Sequence, residues 1–325
     1  MFEPEFRAPL HTFTDLHTNS ARSIDFSRRI AVMTVVNRTK DSFFDSGATF
    51  ALDRAVEASL AAASHGADWV DIGCVPFSPG PELPWQEEAD GVVPVIQAVR
   101  EASDVILSAD TFSAKVADAA LRAGANIVND TTGLSDPDLL SVVAEHGAHI
   151  VITHSLAAPR TVFPKPQYDD VVASVRDFLA VRIERALNEG VAPDKILIDP
   201  GHDLNKNTLH SLEITRRYIE IAKLGFPGLA AVSNKDFIGE AIGVPKFERQ
   251  SASIAAATMS VMNGARVVRM HDAKESVKAM RFLEVAMGWR EPVMLKHNMG
   301  DLNDPADLTP KTDDAAEQEL QDINS

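Results

Sequence analysis

One layout recurs along this chain and restricts its fold more than any other feature: a short apolar run that stops at a polar strand end. Ile196-Leu197-Ile198 runs into Asp199-Pro200-Gly201, followed by His202-Asp203-Leu204-Asn205-Lys206. The same layout closes at Val70-Asp71-Ile72-Gly73, Leu107-Ser108-Ala109-Asp110-Thr111, Ile127-Val128-Asn129-Asp130 and Val267-Val268-Arg269-Met270-His271-Asp272. Runs that are apolar at consecutive positions suit strands buried on both faces, as in a parallel sheet. Polar groups placed repeatedly at the carboxyl ends of such strands are the signature of a TIM-type (β/α)₈ barrel with its active site on that face.

The rest of the chain supplies the spacing such a barrel needs. Strands are expected over 30–36, 67–72, 105–109, 125–128, 148–153, from 196, over 228–232 and over 265–269. Helices are expected over 52–65, 85–102 despite Pro94, 113–123, 137–146, 170–188 ending before Gly190, 208–224, 248–263 and 273–287. Each strand is thus followed by a helix, and the alternation is architectural, with no residue-level repeat. Residues 1–28 are mixed and polar and read as an N-terminal extension that closes the bottom of the barrel, leaving 29–290 as the barrel domain. Residues 291–325 read as an acidic tail. Its last part, 301–325, holds eight carboxylates and one lysine, a composition that buries too little apolar surface to order itself.

Length and charge narrow the function. A barrel of about 250 residues with extensions accounts for the 325 residues. The formal net charge of −16 disfavours general binding to nucleic-acid backbones, while leaving room for a small anion held by local donors. Cys74 is the only cysteine, which excludes an intrachain disulfide and a thiolate metal cluster. No signal-like segment opens the chain and no apolar run reaches about 18 residues, so the expectation is a soluble cytoplasmic protein without membrane contact.

Taken as one surface, the strand ends assemble a recognisable chemistry. Asp110, Asn129 and Asp199 present two carboxylates and an amide, a set that saturates the adjacent donors and acceptors of a flat, nitrogen-rich heterocycle. Lys235, just past the seventh strand, adds a cation. Arg269 and His271 follow the eighth strand and, as alternate residues, share a side. With Asn37 after the first strand they form a candidate anion site, at the place where barrels commonly bind phosphate. Each residue also has a plainer reading. Asp110 could cap the next helix, Asn129-Asp130 could form a turn, Arg269 could pair with Asp272, and His271 could be an ordinary histidine.

The ordered motifs resemble one family. Asn37-Arg38-Thr39-Lys40-Asp41-Ser42-Phe43, Asp71-Ile72-Gly73, Ala109-Asp110-Thr111, Gly124 to Asp130, Asp199-Pro200-Gly201, Ser233-Asn234-Lys235 and Arg269-Met270-His271-Asp272 are similar to those of dihydropteroate synthase, over about residues 29–288. The resemblance implies transfer of a pterin-methyl group from diphosphate to 4-aminobenzoate, with Mg²⁺. It implies that Asp110, Asn129, Asp199 and Lys235 hold the pterin. It implies that Asn37, Arg269 and His271 hold the diphosphate, and that Asn37 also meets the metal. Were the chain active, Asp110, Lys235 and Arg269 would serve catalysis. The family's late helices form a homodimer interface, and here 248–263 and 273–287 carry Ile254, Met259, Met262, Val277, Met280, Leu283 and Val285.

The departures are equally specific. Where the family carries Gly-Glu-Ser-Thr-Arg-Pro-Gly, this chain has Cys74-Val75-Pro76-Phe77-Ser78-Pro79-Gly80, with Ser78 in place of the arginine. Loss of a cation that meets a developing diphosphate costs on the order of 10²–10³ in rate. Asn234 replaces a second arginine, Leu204 and Asn205 replace an aromatic residue and a glycine, and Lys40 replaces a proline. This pattern resembles the divergent second dihydropteroate synthase paralogues of some bacteria, thought not to make dihydropteroate. The expectation is a retained pterin pocket with little or no synthase activity. The alternatives are an active synthase, a transferase using a different nucleophile, or a non-catalytic binding module.

Overall fold

The computed structural model describes residues 2–14, 20–37, 48–75, 80–157, 160–161, 165–295 and 297. The chain divides into 1–289 and 290–325, and the acidic segment 301–325 lies outside the described residues. So do Lys40 to Phe43, Phe77 and Ser78.

Eight parallel strands close into a barrel in the order β10-β3-β4-β5-β6-β7-β8-β9. They are β3 (Ala31–Asn37), β4 (Trp69–Gly73), β5 (Ile106–Asp110), β6 (Ile127–Asp130), β7 (His149–Thr153), β8 (Ile196–Asp199), β9 (Gly228–Ala230) and β10 (Ala265–Met270). Between them run α1 (Ala48–Ser64), α2 (Trp85–Ala102), α3 (Ala114–Arg122), α4 (Leu139–Glu145), α5 (Val171–Asn188), α6 (Thr208–Arg216), α7 (Tyr218–Ala222), α8 (Asp236–Ile242) and α9 (Gln250–Met262), and α10 (Ala273–Ala286) follows the last strand. Local signals set several ends. Asp170 caps α5 by accepting from the amides of Val172 and Ala173, and the helix stops before Gly190, whose φ is +91°.

Two stretches differ from the expectation. The span 208–224 is two helices, interrupted at Arg217, whose φ and ψ are −105° and 22°. A further helix, α8, lies between β9 and α9, in a stretch too short and too mixed to show a helical period.

Within residues 2–14 and 20–28, a hairpin packs into the lower end of the barrel. β1 (Leu10–Thr14) and β2 (Ala21–Asp25) form an antiparallel hairpin. Its Phe13 and Ile24, with Phe26, join the inward side chains Met33, Trp69, Ile106, Ile127, Val151, Leu197, Leu229 and Val267 in one apolar plug. His11 is fully buried there, edge-on to Phe26 at 5.0 Å between ring centres and 5.5 Å from the His149 ring. The outward side chains, such as Val32, Val36, Ile150 and Ile198, pack on the helices in a second core.

The two-residue period then places the polar groups. Asp71 follows Trp69 by two, Ser108 and Asp110 follow Ile106 by two and four, Asn129 follows Ile127, Asp199 follows Leu197 and Arg269 follows Val267. All continue the inward phase above the apolar plug.

On the late helices, Met280 is 1% exposed and belongs to the core, which corrects its assignment to an outward face. Ile254, Val277 and Leu283 pack against the same core. Met259, Met262 and Phe282 remain exposed. Among the described residues no helix is long and apolar enough to cross a membrane.

Candidate active site

Strand register brings the rim residues abreast. Asn37 lies opposite Gly73, Gly73 opposite Asp110, and Asp110 opposite Asn129. Gly73 leaves room for this approach: a Cβ there would sit 3.0 Å from the Asp110 Cβ, a tight contact. Thr153 lies opposite Asp199 on the far side of the mouth.

The centre of the site is an acid–base–acid cluster. Arg269 bonds Asp71 Oδ2 through Nε at 2.9 Å and through Nη2 at 2.7 Å, and the same Nη2 reaches Asp110 Oδ2 at 3.0 Å. Asp71 is fully buried and also accepts from the Ser108 hydroxyl and from Asn129 Nδ2 at 3.2 Å. The sequence reading noted Asp71 as a strand end and gave it no role. Its inward phase, two residues above Trp69, was the available signal. Asp110 is pushed up to about 7 by burial first and by the Asp71 charge second, with Arg269 opposing both. Burial disfavours the Arg269 charge, but Asp71 and Asp110 outweigh it and hold the guanidinium protonated.

The plainer readings resolve residue by residue. Asp110 is no cap: the first amide of α3, from Ala114, goes to Asp136 Oδ2. Asp130 is a turn former, accepting from Thr132 and Leu134 amides, whereas Asn129 turns to Asp71. Asp272 caps α10 through the Glu275 amide and does not pair with Arg269.

Across the mouth, Asp199 accepts from the Gly201 amide at 2.7 Å. Burial raises it to about 6, against the pull of that bond and of Lys235, Lys206 and Arg269. Gly201 has φ +69°, and a Cβ there would lie 2.2 Å from the His154 carbonyl oxygen, so only glycine makes this turn. Lys235 donates to the His202 carbonyl at 3.2 Å. Burial lowers its pKa, while Asp203, Asp199 and Asp110 act to keep its charge.

Arg269 and His271 part company. Arg269 reaches across the mouth, whereas the His271 ring bonds the Ser233 hydroxyl at 2.9 Å through Nδ1. It lines a groove of about 550 Å³ that also includes Thr34, Lys246 and Lys274. Burial, and then the Arg269 charge, lower His271 to about 4, so it is neutral at neutral pH. Asn37 stands exposed at the rim. Cys74 is buried against Gly91 and donates to the Glu88 carbonyl, packed as core.

Three carboxylates, Asp71, Asp110 and Asp199, with an amide, a lysine and an arginine therefore converge on one mouth. The family model described as pterin binding enzyme matches residues 33–271. This chain belongs to the pterin-binding enzyme family. Among its relatives, the inactive dihydropteroate synthase 2 of Mycobacterium tuberculosis is 39% identical over 270 residues, covering 81% of this chain and 85% of that protein. The dihydropteroate synthase of Escherichia coli is 36% identical over 261 residues, covering 80% and 93%. The solved dihydropteroate synthase of Xanthomonas albilineans with 4-aminobenzoic acid superposes with a TM-score of 0.77 at 34% identity, covering 85% and 98%. The barrel and its family membership match what the motifs imply.

Proposed function

We propose that this pterin-binding family member keeps the pterin pocket but has little or no dihydropteroate synthase activity, as a cytoplasmic homodimer. The observation that supports the pocket is the convergence of Asp110, Asn129, Asp199 and Lys235 on one mouth, with Asp71 and Arg269 organising its floor. Carboxylates beside the ring would stabilise the positive charge that develops on the pterin methylene as diphosphate leaves. Impairment follows from the sequence of the loop after β4, where Ser78 stands in place of the family's arginine, and from Asn234 after β9. The exposed Met259, Met262 and Phe282 suit the dimer.

Magnesium fits this mouth only as a companion of the ligand. Among the described residues no three His, Cys, Asp or Glu side chains gather as a metal site, and Asn37 offers one amide oxygen at the rim. Mg²⁺ typically keeps its waters and binds through substrate phosphates plus one or two protein oxygens. Asn37, with the diphosphate, would hold it, and the bound ion would neutralise the leaving group.

The test is calorimetry with the dihydropterin methyl diphosphate and with the corresponding dihydropterin alcohol, then a turnover assay with 4-aminobenzoate and Mg²⁺. Binding of at least one pterin with negligible turnover is the expected result. Binding of neither overturns the pocket, and robust sulfonamide-sensitive turnover overturns the impairment. Diphosphate release with another amine would make the chain a transferase with a different nucleophile. Chromatography with light scattering tests the dimer.

A further inference from the structure

Two loops meet beside Asp199, and two consecutive side chains fasten one to the other. The loop after β8 turns at Gly201, whose amide bonds the Asp199 carboxylate at 2.7 Å and whose φ is +69°. A glycine makes this turn and also leaves it free to move. Lys206 removes that freedom. Its buried ammonium donates to the Gly201 carbonyl at 2.9 Å, to the Leu204 carbonyl at 2.9 Å and to His154 Nδ1 at 2.8 Å, so all three of its protons are engaged. His154 belongs to the loop after β7, and its own amide donates to the backbone carbonyl of Asp199 at 2.9 Å. Burial, and then the Lys206 charge, lower His154 to about 3, which keeps its ring neutral and able to accept. Asn205 makes the second fastening. Its Oδ1 accepts the amides of Leu156 at 2.7 Å and Ala157 at 3.2 Å, and its carbonyl accepts the Tyr168 hydroxyl at 3.0 Å. Its φ of 51° lies in the left-handed region, which asparagine tolerates better than most side chains. Glycine would make the same bend without the acceptor.

We propose that Asn205 and Lys206 are positioning residues for the pterin, a clasp that joins the loops after β7 and β8 and so fixes Asp199 at one place on the mouth. The proposal rests on the pterin-pocket reading. A carboxylate that meets a flat ring at hydrogen-bond distance must be held to within about 0.5 Å. Asp71 and Asp110 are held by Arg269. Asp199 stands on the far side of the mouth, and its side chain bonds the amide of the turn itself. What holds Gly201 therefore holds Asp199. The two loops already touch at this point, since a Cβ on Gly201 would lie 2.2 Å from the His154 carbonyl oxygen. Lys206 locks that contact from the Gly201 side, and Asn205 ties down the next residues of the partner loop, Leu156 and Ala157. The clasp is built from the chain's own groups, so the wall beside Asp199 is formed before a ligand arrives, and binding orders little further backbone.

The test is calorimetry on the full chain with the dihydropterin alcohol and its diphosphate ester, at a temperature where every variant is folded, beside thermal unfolding and amide hydrogen exchange. Asn205→Gly removes the acceptor and the left-handed strain together, so Tm stays within about 3 °C of the wild type. Exchange at the Leu156 and Ala157 amides quickens by roughly tenfold, and affinity for whichever pterin the wild type binds falls by about fivefold to tenfold. Asn205→Asp returns the acceptor and restores affinity to within about threefold of the wild type. Lys206→Met keeps the apolar stem, loses the ammonium and weakens the pterin at least as much; if it does not fold, the Asn205 pair decides. Unchanged affinity in Asn205→Gly, a loss that Asn205→Asp does not reverse, or a loss without faster exchange at Leu156 and Ala157 overturns the proposal. Failure of the wild type to bind either pterin overturns the pocket reading itself, so the two failures are distinct.

Discussion

Replacing Arg269 with methionine isolates what holds the mouth together. The substitution keeps much of the side chain's apolar volume and removes the one cation shared by Asp71 and Asp110. Asp71 is fully buried and the Asp110 side chain is 14% exposed. Breaking a buried pair by deleting one partner costs about 3–5 kcal/mol, because the other charge is left uncompensated. The cost must depend on pH. Asp110 has a folded pKa near 7, above its ordinary value of 3.8. A raised carboxyl is at no disadvantage below the unfolded value, and its folded state loses stability as pH climbs through the folded one. Without Arg269 that folded value moves higher still, at about 1.4 kcal/mol per unit. The expected loss for Arg269→Met is therefore about 3–5 kcal/mol at pH 8.5 and smaller at pH 5, where Asp110 is protonated. Urea unfolding at both pH values measures it, and adding Asp110→Asn to the same chain should recover part of the loss at pH 8.5. An equal loss at the two pH values, or one under about 1 kcal/mol at pH 8.5, would refute the view that Arg269 neutralises buried charge.

Three further outcomes are expected. His11, lowered to about 4 mainly by burial, contributes stability above pH 6.5 that is lost as pH falls toward 4; His11→Phe should therefore remove up to about 3 kcal/mol of the acid destabilisation, read as a lower acid-unfolding midpoint. Gly201→Ala forces a methyl against the His154 carbonyl at φ +69° and should cost more than about 2 kcal/mol, seen as a fall in Tm, with weakened pterin binding because Asp199 loses its amide donor geometry. Restoring cations with Ser78→Arg and Asn234→Arg together should raise turnover with 4-aminobenzoate by roughly tenfold or more; no change in a folded variant that still binds pterin would show that the impairment lies elsewhere.

The Asp71–Arg269–Asp110 cluster explains why a set of motifs can be conspicuous while its chemistry is hidden. Each member ends a strand and each looks like a ligand-binding group. Brought together, they satisfy one another. A relative named inactive dihydropteroate synthase 2 and one named dihydropteroate synthase are both similar to this chain.

The amino-acid order alone determined the barrel, because eight apolar runs with helices between them leave a parallel sheet few other ways to cover both faces. It also put Asp110, Asn129, Asp199 and Arg269 at strand ends, while the shared side it gave Arg269 and His271 did not hold. What it left open was decided by stagger between strands and by loop geometry. Asp71 gained its role because Arg269, 198 positions away, reaches across the mouth. Asp203 meets the first amides of α8 because a left-handed backbone carries its carboxylate there, and that helix has no period to announce it. Met280 lies in the core because α10 packs that face onto the barrel. A sequence pattern states which way a side chain points, and only the closed fold states what it points at.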